Sequence, residues 1–317
     1  MIEAVALSKR YGSVEAVRDA SFTVTTGEIV GLLGPNGAGK TTIMKILTGY
    51  HYPTSGRATV NGMDVVEQPV GVKRCLGYLP ENAPLYGDLT VREYLDFVAD
   101  ARSLGGIERR DALDRTLSVC GLISQMDRPI DELSKGFKQR VGLAQAIVHD
   151  PSILILDEPT TGLDPNQIQD IRRLIRRLGE DKTVILSTHI LQEVEAVCDR
   201  VLILHEGRIA AVGTTEEIGR EVKGDVTYSV RIAGSEPNKA TLSALKSVGS
   251  ISKIQKESGT HLLKVVLHED ASGEDIYRWA VDHDLLLREL VPERYRLEDI
   301  FSKLTVQASE DEGRVES

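Results

Sequence analysis

The segment Gly34-Pro35-Asn36-Gly37-Ala38-Gly39-Lys40-Thr41-Thr42 is the strongest chemical signal in this sequence. It matches the pattern G-x-x-x-x-G-K-[ST], in which glycines allow consecutive backbone N–H groups to turn inward around an anion. In this pattern Lys40 supplies a point charge for the outer phosphates of a nucleotide, and the Thr41 hydroxyl is placed to bind Mg²⁺. The alternative is a glycine-rich turn that binds nothing.

The flanks of this segment favour phosphate binding. Glu28–Leu33 is a short apolar run that predicts a strand, and Thr42–Leu47 has apolar residues at helical spacing. A strand, a glycine-rich loop and a helix in this order place the positive end of the helix dipole at the loop. The segment therefore predicts an α/β fold with a phosphate-binding loop.

Two further apolar runs end in chemically active side chains. Ile153–Leu156 is typical of a strand buried on both faces of a parallel sheet, and Asp157 and Glu158 follow it. Thr183–Leu186 is a similar run and leads into Ser187-Thr188-His189. Ligands of open α/β sheets bind at the carboxyl ends of the strands, so these residues are candidates for one site. The alternatives are two acids that cap a loop and a structural histidine.

Upstream of both runs lies Leu133-Ser134-Lys135-Gly136-Phe137-Lys138-Gln139-Arg140, followed by a segment with helical periodicity. Together with Thr161-Gly162-Leu163-Asp164-Pro165, the segments resemble, in type and order, the ATP-binding cassettes of ABC transporters. The resemblance implies a P-loop cassette fold, with a RecA-like core, an antiparallel β subdomain and a helical subdomain. It also implies that two cassettes enclose ATP between the phosphate loop of one and the signature loop of the other.

The resemblance assigns roles residue by residue. It implies that ATP is bound by Tyr11, Gly34, Pro35, Asn36, Gly37, Ala38, Gly39, Lys40, Thr41, Thr42, Ser134 and Gly136. Tyr11 would stack on adenine. Mg²⁺ would be held by Thr41, Asp157 and Glu81, while Glu158 would act as the general base and His189 as the switch that contacts the γ-phosphate and the water.

The chain departs from the common cassette pattern at three positions. Lys135 replaces a glycine of the signature, and Phe137 stands where the family has glutamine. Lys135 either adds charge to the phosphate or is solvated on the rim. Glu81 stands where most cassettes have glutamine, and either binds Mg²⁺ or senses water. Both kinds of departure are typical of export cassettes that resemble gliding-motility and drug-resistance ATPase subunits.

Charge and cysteine content exclude some classes of function. The chain has 38 Lys and Arg against 48 Asp and Glu, a formal net charge of −10. An acidic chain lacks the basic surface of a nucleic-acid binder, so no nucleic-acid partner is expected. The basic cluster 172–177 is interpreted as a solvated helix face. The three isolated cysteines indicate neither disulfides nor a zinc site.

The sequence shows no apolar run near the roughly 18–20 residues that span a bilayer, and its first residues lack the basic region of a signal peptide. We therefore expect a peripheral protein on the cytoplasmic face of the plasma (inner) membrane. The expected partners are a second cassette, as a homodimer or as a heterodimer with a related cassette, and a multi-span permease subunit. The expected function is ATP hydrolysis that powers export. The alternatives are a soluble cassette ATPase that acts on ribosomes or DNA, and a nucleotide-binding regulator without turnover.

Pattern changes along the chain predict three regions. Residues 1–220 form the cassette, with the helical subdomain at about 82–148. Residues 221–305 show the element order βαββαβ, which predicts a small ferredoxin-like accessory domain closed by a helix at 297–304. Trp279 in this domain is predicted to be a core residue. The polar segment 306–317 is predicted to be disordered.

Overall fold

The computed structural model describes residues 1–223, 227–233, 237–257, 260–268 and 271–292. These residues form two compact units, with the division between Thr214 and Thr215. The sequence pattern predicts this division near residue 220 instead. The predicted helix at 297–304 and the segment 306–317 lie outside the described residues.

The first unit combines two β-sheets with helices. Its strands are β1 (Ile2–Tyr11), β2 (Val14–Val24), β3 (Ile29–Leu33), β4 (Ser55–Val60), β5 (Met63–Asp64), β6 (Leu76–Leu79), β7 (Ile153–Asp157), β8 (Thr183–Thr188), β9 (Arg200–His205) and β10 (Arg208–Gly213). Its helices are α1 (Lys40–Leu47), α2 (Pro69–Cys75), α3 (Val91–Ala101), α4 (Gly106–Val119), α5 (Lys135–Ile147), α6 (Pro165–Gly179) and α7 (Leu191–Val197), with short 3₁₀ turns at Ile123–Gln125 and Ile130–Glu132.

The central sheet has the strand order β10-β9-β3-β8-β7-β6. Its strands are parallel except for β10, which pairs antiparallel with β9 at one edge. Every residue of β3, β7 and β8 is buried, as their apolar runs predict for strands covered on both faces. The register pairs Leu33 with Thr188 and Asp157 with Ser187. The segments after β3, β7 and β8 therefore meet at one edge of the sheet.

Alternate residues of the central strands enter two different cores. Ile153 and Ile155 pack with α1 and with the second sheet, which has the order β2-β1-β4-β5 and is antiparallel. Leu154 and Leu156 pack on the opposite face with residues of α3, α4, α5 and α6. The strand period of two thus joins the antiparallel sheet and the helical region to the same central sheet.

Helix starts in this unit follow from local sequence. The hydroxyl of Thr90 accepts from the Glu93 N–H, and the Glu93 carboxylate accepts in return, so α3 begins at a capping box. Asp164 caps α6 in the same way, with Pro165 as the first helical residue. The sequence Leu163-Asp164-Pro165 is therefore a helix-start signal as well as a family motif.

The second unit contains α8 (Thr215–Lys223), β11 (Thr227–Ala233), α9 (Lys239–Leu245), β12 (Gly249–Glu257), β13 (Thr260–Leu267), α10 (Gly273–Asp282) and β14 (Leu286–Pro292). From β11 onward this is the predicted order βαββαβ. The sheet order β12-β13-β11-β14 is antiparallel throughout. Trp279 is buried in the core of this unit, and its indole N–H donates to the Thr241 carbonyl at 2.9 Å.

None of the helices within the described ranges combines the length and the apolar composition that crossing a bilayer requires.

Candidate functional site

The phosphate loop lies between β3 and α1, and two of its glycines have left-handed backbones. Gly37 has φ +85° and Gly39 has φ +107°. A Cβ atom on Gly39 would lie 2.4 Å from the Ala16 carbonyl oxygen in β2, so this position excludes any side chain. Helix α1 starts at Lys40, and its N-terminal N–H groups are those that the loop can present to an anion.

Lys40 lies inside the loop, with only 6% of the residue exposed. Its ammonium donates to the carbonyls of Gly34 at 2.8 Å and Pro35 at 3.2 Å. The same nitrogen is 3.4 Å from Oε1 of Glu158, which is also buried. The loop therefore holds a positive charge, and the carboxylate that follows β7, two strands away from β3, balances it.

Asp157 presents one free oxygen beside Thr41. Its Oδ1 accepts from the Thr41 hydroxyl at 3.2 Å and from the Ser187 hydroxyl at 2.6 Å. Its Oδ2 is buried and has no hydrogen-bond partner among the described residues. A buried carboxylate oxygen without a donor, next to a threonine hydroxyl, fits the ligands that Mg²⁺ prefers.

Glu158 faces His189 across this edge of the sheet. Nδ1 of His189 lies 2.9 Å from Oε2 of Glu158, and the Thr161 hydroxyl donates to the same oxygen at 3.3 Å. The backbone of Glu158 has φ +48°, a left-handed conformation that costs a non-glycine residue about 1–3 kcal/mol and requires support from its surroundings. Its N–H donates to Ser187 Oγ at 2.9 Å, which is part of that support.

Glu81 follows β6 at the same edge and is exposed. Among the described contacts it makes no hydrogen bond or ion pair with Thr41 or Asp157. Burial raises the pKa of the Tyr78 phenol, and the charges of Asp157 and Glu81 add to the rise. Glu81 and Asp157 therefore both act electrostatically on Tyr78, although no described contact joins Glu81 to Asp157.

Tyr11 ends β1 and is 43% exposed. Its ring makes an edge contact with His51, with the ring centres 5.7 Å apart, and the Lys9 ammonium lies 5.2 Å from its centre. These contacts hold an aromatic ring at the surface. No described contact joins Tyr11 to residues 34–42, and its role in adenine binding stays a prediction.

The signature segment forms the start of α5. Ser134 is exposed and caps the helix by accepting from the Phe137 N–H. Gly136 is buried, and a Cβ there would lie 2.7 Å from the side chain of Gln167 in α6. Phe137 packs against the core of the helical region. No described contact joins Ser134 or Gly136 to the phosphate loop of the same chain.

Lys135 is exposed, and its role at the phosphate or on the rim stays a prediction. Its ammonium lies where a Cβ on Gly162 would be, so the side chain rests against the loop at 161–165 of its own chain. Gln139, one helical turn further along α5, donates to the Pro159 carbonyl at 2.7 Å. The signature helix is thus docked on the segment that follows Glu158.

Ser187 and Gln139 also take part in this arrangement, although no sequence motif assigns them a role. Ser187 is fully buried and is the bridge between Asp157 and the Glu158 backbone. A polar residue at the end of an otherwise apolar strand was an available signal for Ser187. Nothing in the local sequence around Gln139 indicated that it would reach Pro159.

The fold and this edge of the sheet define a P-loop nucleotide-binding protein. The family model described as "ABC transporter" matches residues 17–161. The bacitracin transport ATP-binding protein BcrA of Bacillus licheniformis is 34% identical over 301 residues, which cover 87% of this chain and 96% of the relative. The linearmycin resistance ATP-binding protein LnrL of Bacillus subtilis is 31% identical over 317 residues, covering 98% of this chain and all of the relative.

Other comparisons agree. The probable multidrug ABC transporter ATP-binding protein YbhF of Escherichia coli is 40% identical over 226 residues, which cover 71% of this chain and 39% of YbhF. The chain therefore spans well under half of YbhF. Among solved structures, an ATP-binding subunit of an ABC transporter superposes with a TM-score of 0.65 at 35% identity, covering 71% of this chain and 94% of that structure. A dimeric bacterial ABC transporter cassette, MJ0796, gives a TM-score of 0.62 at 25% identity, covering 68% and 98%.

This chain belongs to the ABC transporter family and is one of its ATP-binding subunits. The predicted cassette fold is confirmed.

Proposed function

We propose that this chain hydrolyses ATP to drive export through a separate membrane-spanning subunit. The observation that carries the proposal is the meeting of Lys40, Asp157, Glu158 and His189 at one edge of the central sheet. The printed names of relatives, which include bacitracin transport, linearmycin resistance and Nod factor export, support the export direction.

The phosphate loop binds the triphosphate of ATP through its backbone N–H groups and Lys40, and Tyr11 stacks on adenine. Because Lys40 is paired with Glu158, an incoming phosphate competes with that carboxylate for the ammonium. Nucleotide binding therefore releases Glu158 from its ion pair. This exchange links occupancy of the site to the presence of a free base.

The residues around Asp157 fit Mg²⁺, and Thr41 and Asp157 would hold it, with Glu81 as the third candidate ligand. When bound, the metal ion neutralises charge on the phosphate oxygens. The Ser187 hydroxyl donates to Oδ1 of Asp157, and the buried Oδ2 is left without a hydrogen-bond partner among the described residues.

Glu158 accepts a proton from the attacking water, and His189 orients Glu158 and the γ-phosphate. The 2.9 Å contact between His189 and Glu158 already brings the two groups together. General-base catalysis requires hydrogen-bond reach, and the remainder of phosphoryl transfer depends on positioning and charge.

The signature completes the site from a second cassette. Ser134 is exposed at the N-terminus of α5 and does not contact the loop of its own chain among the described contacts. We propose a homodimer, or a heterodimer with a related cassette, in which Ser134 and Gly136 of one chain close over ATP on the other. ATP bridges both faces, whereas ADP lacks the γ-phosphate, so the two nucleotides differ in how strongly they favour closure.

The conformational change of the cassette is transmitted to a multi-span permease through the surface near Glu81 and the helical region. Tyr86 and Phe97 are about half exposed there, with their rings 5.6 Å apart. An exposed aromatic pair of this kind suits a protein contact. The chain would then lie on the cytoplasmic face of the inner membrane.

We also propose that the cassette occupies residues 1–220 and an accessory domain residues 221–305. The separation of the structure into two compact units at Thr214/Thr215 and the order βαββαβ in the second unit support this division.

Purification from membranes of the native host tests the export proposal. We expect a polypeptide with several membrane spans to copurify with the tagged chain and to stimulate its ATP hydrolysis. The matched control is Lys40→Ala, which we expect to retain the partner and lose the stimulated hydrolysis. Copurification of ribosomes or DNA in place of a membrane protein would overturn the proposal.

A further inference from the structure

We propose that Glu193 is a positioning residue that holds the two loops carrying Glu158 and His189 in their working arrangement. The inference rests on the proposed ATP hydrolysis and concerns a residue to which no sequence motif assigns a role.

Glu193 is a buried carboxylate on α7, with 2% of the residue exposed. Its Oε1 accepts from the Thr160 hydroxyl, and its Oε2 accepts from the Thr188 hydroxyl at 2.6 Å. Both threonines are buried as well. One carboxylate therefore joins two separate segments, each through its own oxygen.

Both threonines are close in sequence to the catalytic pair. Thr160 lies two residues after Glu158, and Thr188 immediately precedes His189. The Thr188 hydroxyl also accepts from the Ile190 N–H at 3.0 Å, so the backbone is fixed on both sides of His189. Glu193 thus sets the separation of the two loops across which His189 and Glu158 are 2.9 Å apart.

The cost of burying this carboxylate argues for a role beyond packing. Its neighbours on α7, Val194 and Val197, are buried apolar residues, and a third apolar side chain would fill the same space. The Arg172 guanidinium lies 3.9 Å from Oε1 and supplies a compensating charge. Arg172 is consequently turned toward the protein, whereas Arg173 in the same basic cluster is 76% exposed.

The left-handed backbone of Glu158 makes its position depend on such support. A strained residue keeps its conformation only where the surrounding contacts over-determine it. Removing the carboxylate would leave the Thr160 and Thr188 hydroxyls without this acceptor and free the two loops to separate. A displacement of about 1 Å in a catalytic group costs on the order of 10²-fold in rate.

Nucleotide binding depends much less on Glu193. The only described hydrogen bond between this network and the phosphate loop is a long one, from the Gly34 N–H to the Thr188 carbonyl at 3.3 Å. Loss of Glu193 is therefore expected to lower kcat and leave the affinity for ATP nearly unchanged.

The test compares Glu193→Ala and Glu193→Gln in the full chain, with Gln192→Ala on the exposed side of α7 as the matched control. For Glu193→Ala we expect kcat to fall about 10- to 10²-fold, and the Kd for ATP to stay within about threefold of wild type. Gln keeps the shape and one acceptor, so Glu193→Gln should recover most of the rate. Gln192→Ala should match wild type.

A double-mutant comparison identifies the route. If Glu193 acts through the threonines, adding Thr160→Val and Thr188→Val to Glu193→Ala should cause little further loss, because the interaction is already removed. Fully additive losses would overturn this route.

Amide hydrogen exchange gives a readout that does not need catalysis. We expect Glu193→Ala to speed exchange at Glu158 and Ile190, whose N–H groups donate to the hydroxyls of Ser187 and Thr188. Normal kcat and normal exchange in the variant would overturn the proposal. A variant in which ATP affinity and melting temperature fall together with kcat would also overturn it, because that pattern indicates general loss of structure. If wild type itself fails to hydrolyse ATP, the proposed function falls, and the exchange experiment still decides the role of Glu193.

Discussion

At the scale of single residues, the Glu158 carboxylate has three partners. Lys40 balances its charge at 3.4 Å, His189 contacts it at 2.9 Å, and Thr161 donates to it at 3.3 Å. These three side chains together orient the carboxylate. In the proposed mechanism, the phosphate of ATP competes with this carboxylate for Lys40.

Glu158→Gln separates binding from turnover. The amide cannot accept a proton from water, so we expect hydrolysis to fall by at least about 10²-fold. The amide also releases Lys40 from its ion pair, so ATP affinity should be equal to or greater than that of wild type. Phosphate-release kinetics and equilibrium ATP binding measure the two effects.

The control for that variant is Glu180→Gln, an exposed carboxamide substitution at the C-terminus of α6. It should hydrolyse ATP at the wild-type rate. Near-normal hydrolysis by Glu158→Gln would exclude Glu158 as the base.

At the scale of elements, the phosphate loop is shaped by its neighbour β2 as well as by its own glycines. Gly39 and Gly37 both have positive φ, and a Cβ on Gly39 would lie against the Ala16 carbonyl, whereas a Cβ on Gly37 would have no atom within 4 Å. Backbone conformation alone predicts the same cost for a side chain at either position. The approach of the antiparallel sheet makes a side chain more costly at Gly39 than at Gly37.

We expect Gly39→Ala to destabilise the first unit more than Gly37→Ala does. Left-handed strain costs each variant about 1–2 kcal/mol, and the clash with Ala16 adds at least about 1 kcal/mol at Gly39. Urea unfolding of the two variants measures the difference. Equal losses would contradict the close approach of β2 to the loop.

A histidine links the end of α5 to the central sheet. Nε2 of His149 lies 3.1 Å from the Leu76 carbonyl in β6 and acts as the donor in this hydrogen bond. Burial, aided by the charge of Arg102, lowers the pKa of His149 from 6.5 to about 4. The imidazole is therefore neutral in the folded protein at neutral pH.

This contact predicts acid sensitivity with a defined sign. Between pH 6.5 and pH 4 the unfolded chain binds a proton at His149 that the folded protein does not, so stability falls as pH falls through this window. The loss is about 2 kcal/mol after allowance for solvent screening. His149→Gln keeps a donor for Leu76 and does not titrate, so its stability should fall by that much less over the window. Parallel pH curves for the two proteins would contradict this assignment.

At the scale of the whole molecule, the phosphate loop and the signature segment belong to one chain, but no described contact joins them. Instead, α5 is docked on the segment after Glu158 through Gln139 and Pro159, with Lys135 against Gly162. In the proposed dimer, the signature end of α5 covers the partner's ATP. The same helix contacts the segment that follows Glu158, the proposed general base of its own chain.

Mixing two inactive variants tests this arrangement. Lys40→Ala removes the positive charge of the phosphate loop, and Ser134→Glu places a carboxylate where the signature would meet phosphate. In a hybrid dimer, one site combines the intact phosphate loop of the Ser134→Glu chain with the intact signature of the Lys40→Ala chain. We therefore expect the mixture to hydrolyse ATP although neither variant does alone. Steady-state phosphate release measures the recovery, and an inactive mixture would contradict a site shared between chains.

Much of this architecture was predictable because its signals are local. The loop at 34–42, the acids after β7 and the histidine after β8 all follow strands whose apolar runs are continuous in the sequence. The order βαββαβ of the second unit was predictable for the same reason, since each period of two or 3.6 residues is contained in one segment.

The sequence by itself determined the identity of the reacting groups and the strand ends on which they lie. Only the tertiary structure decided how those groups are held, with Ser187 leaving one Asp157 oxygen free, Lys40 paired with Glu158, and Glu193 joining Thr160 to Thr188. The physical reason is that these contacts cross from one parallel strand or loop to the next. Their partners are brought within bonding distance by sheet register and helix packing, which no local pattern of residues specifies.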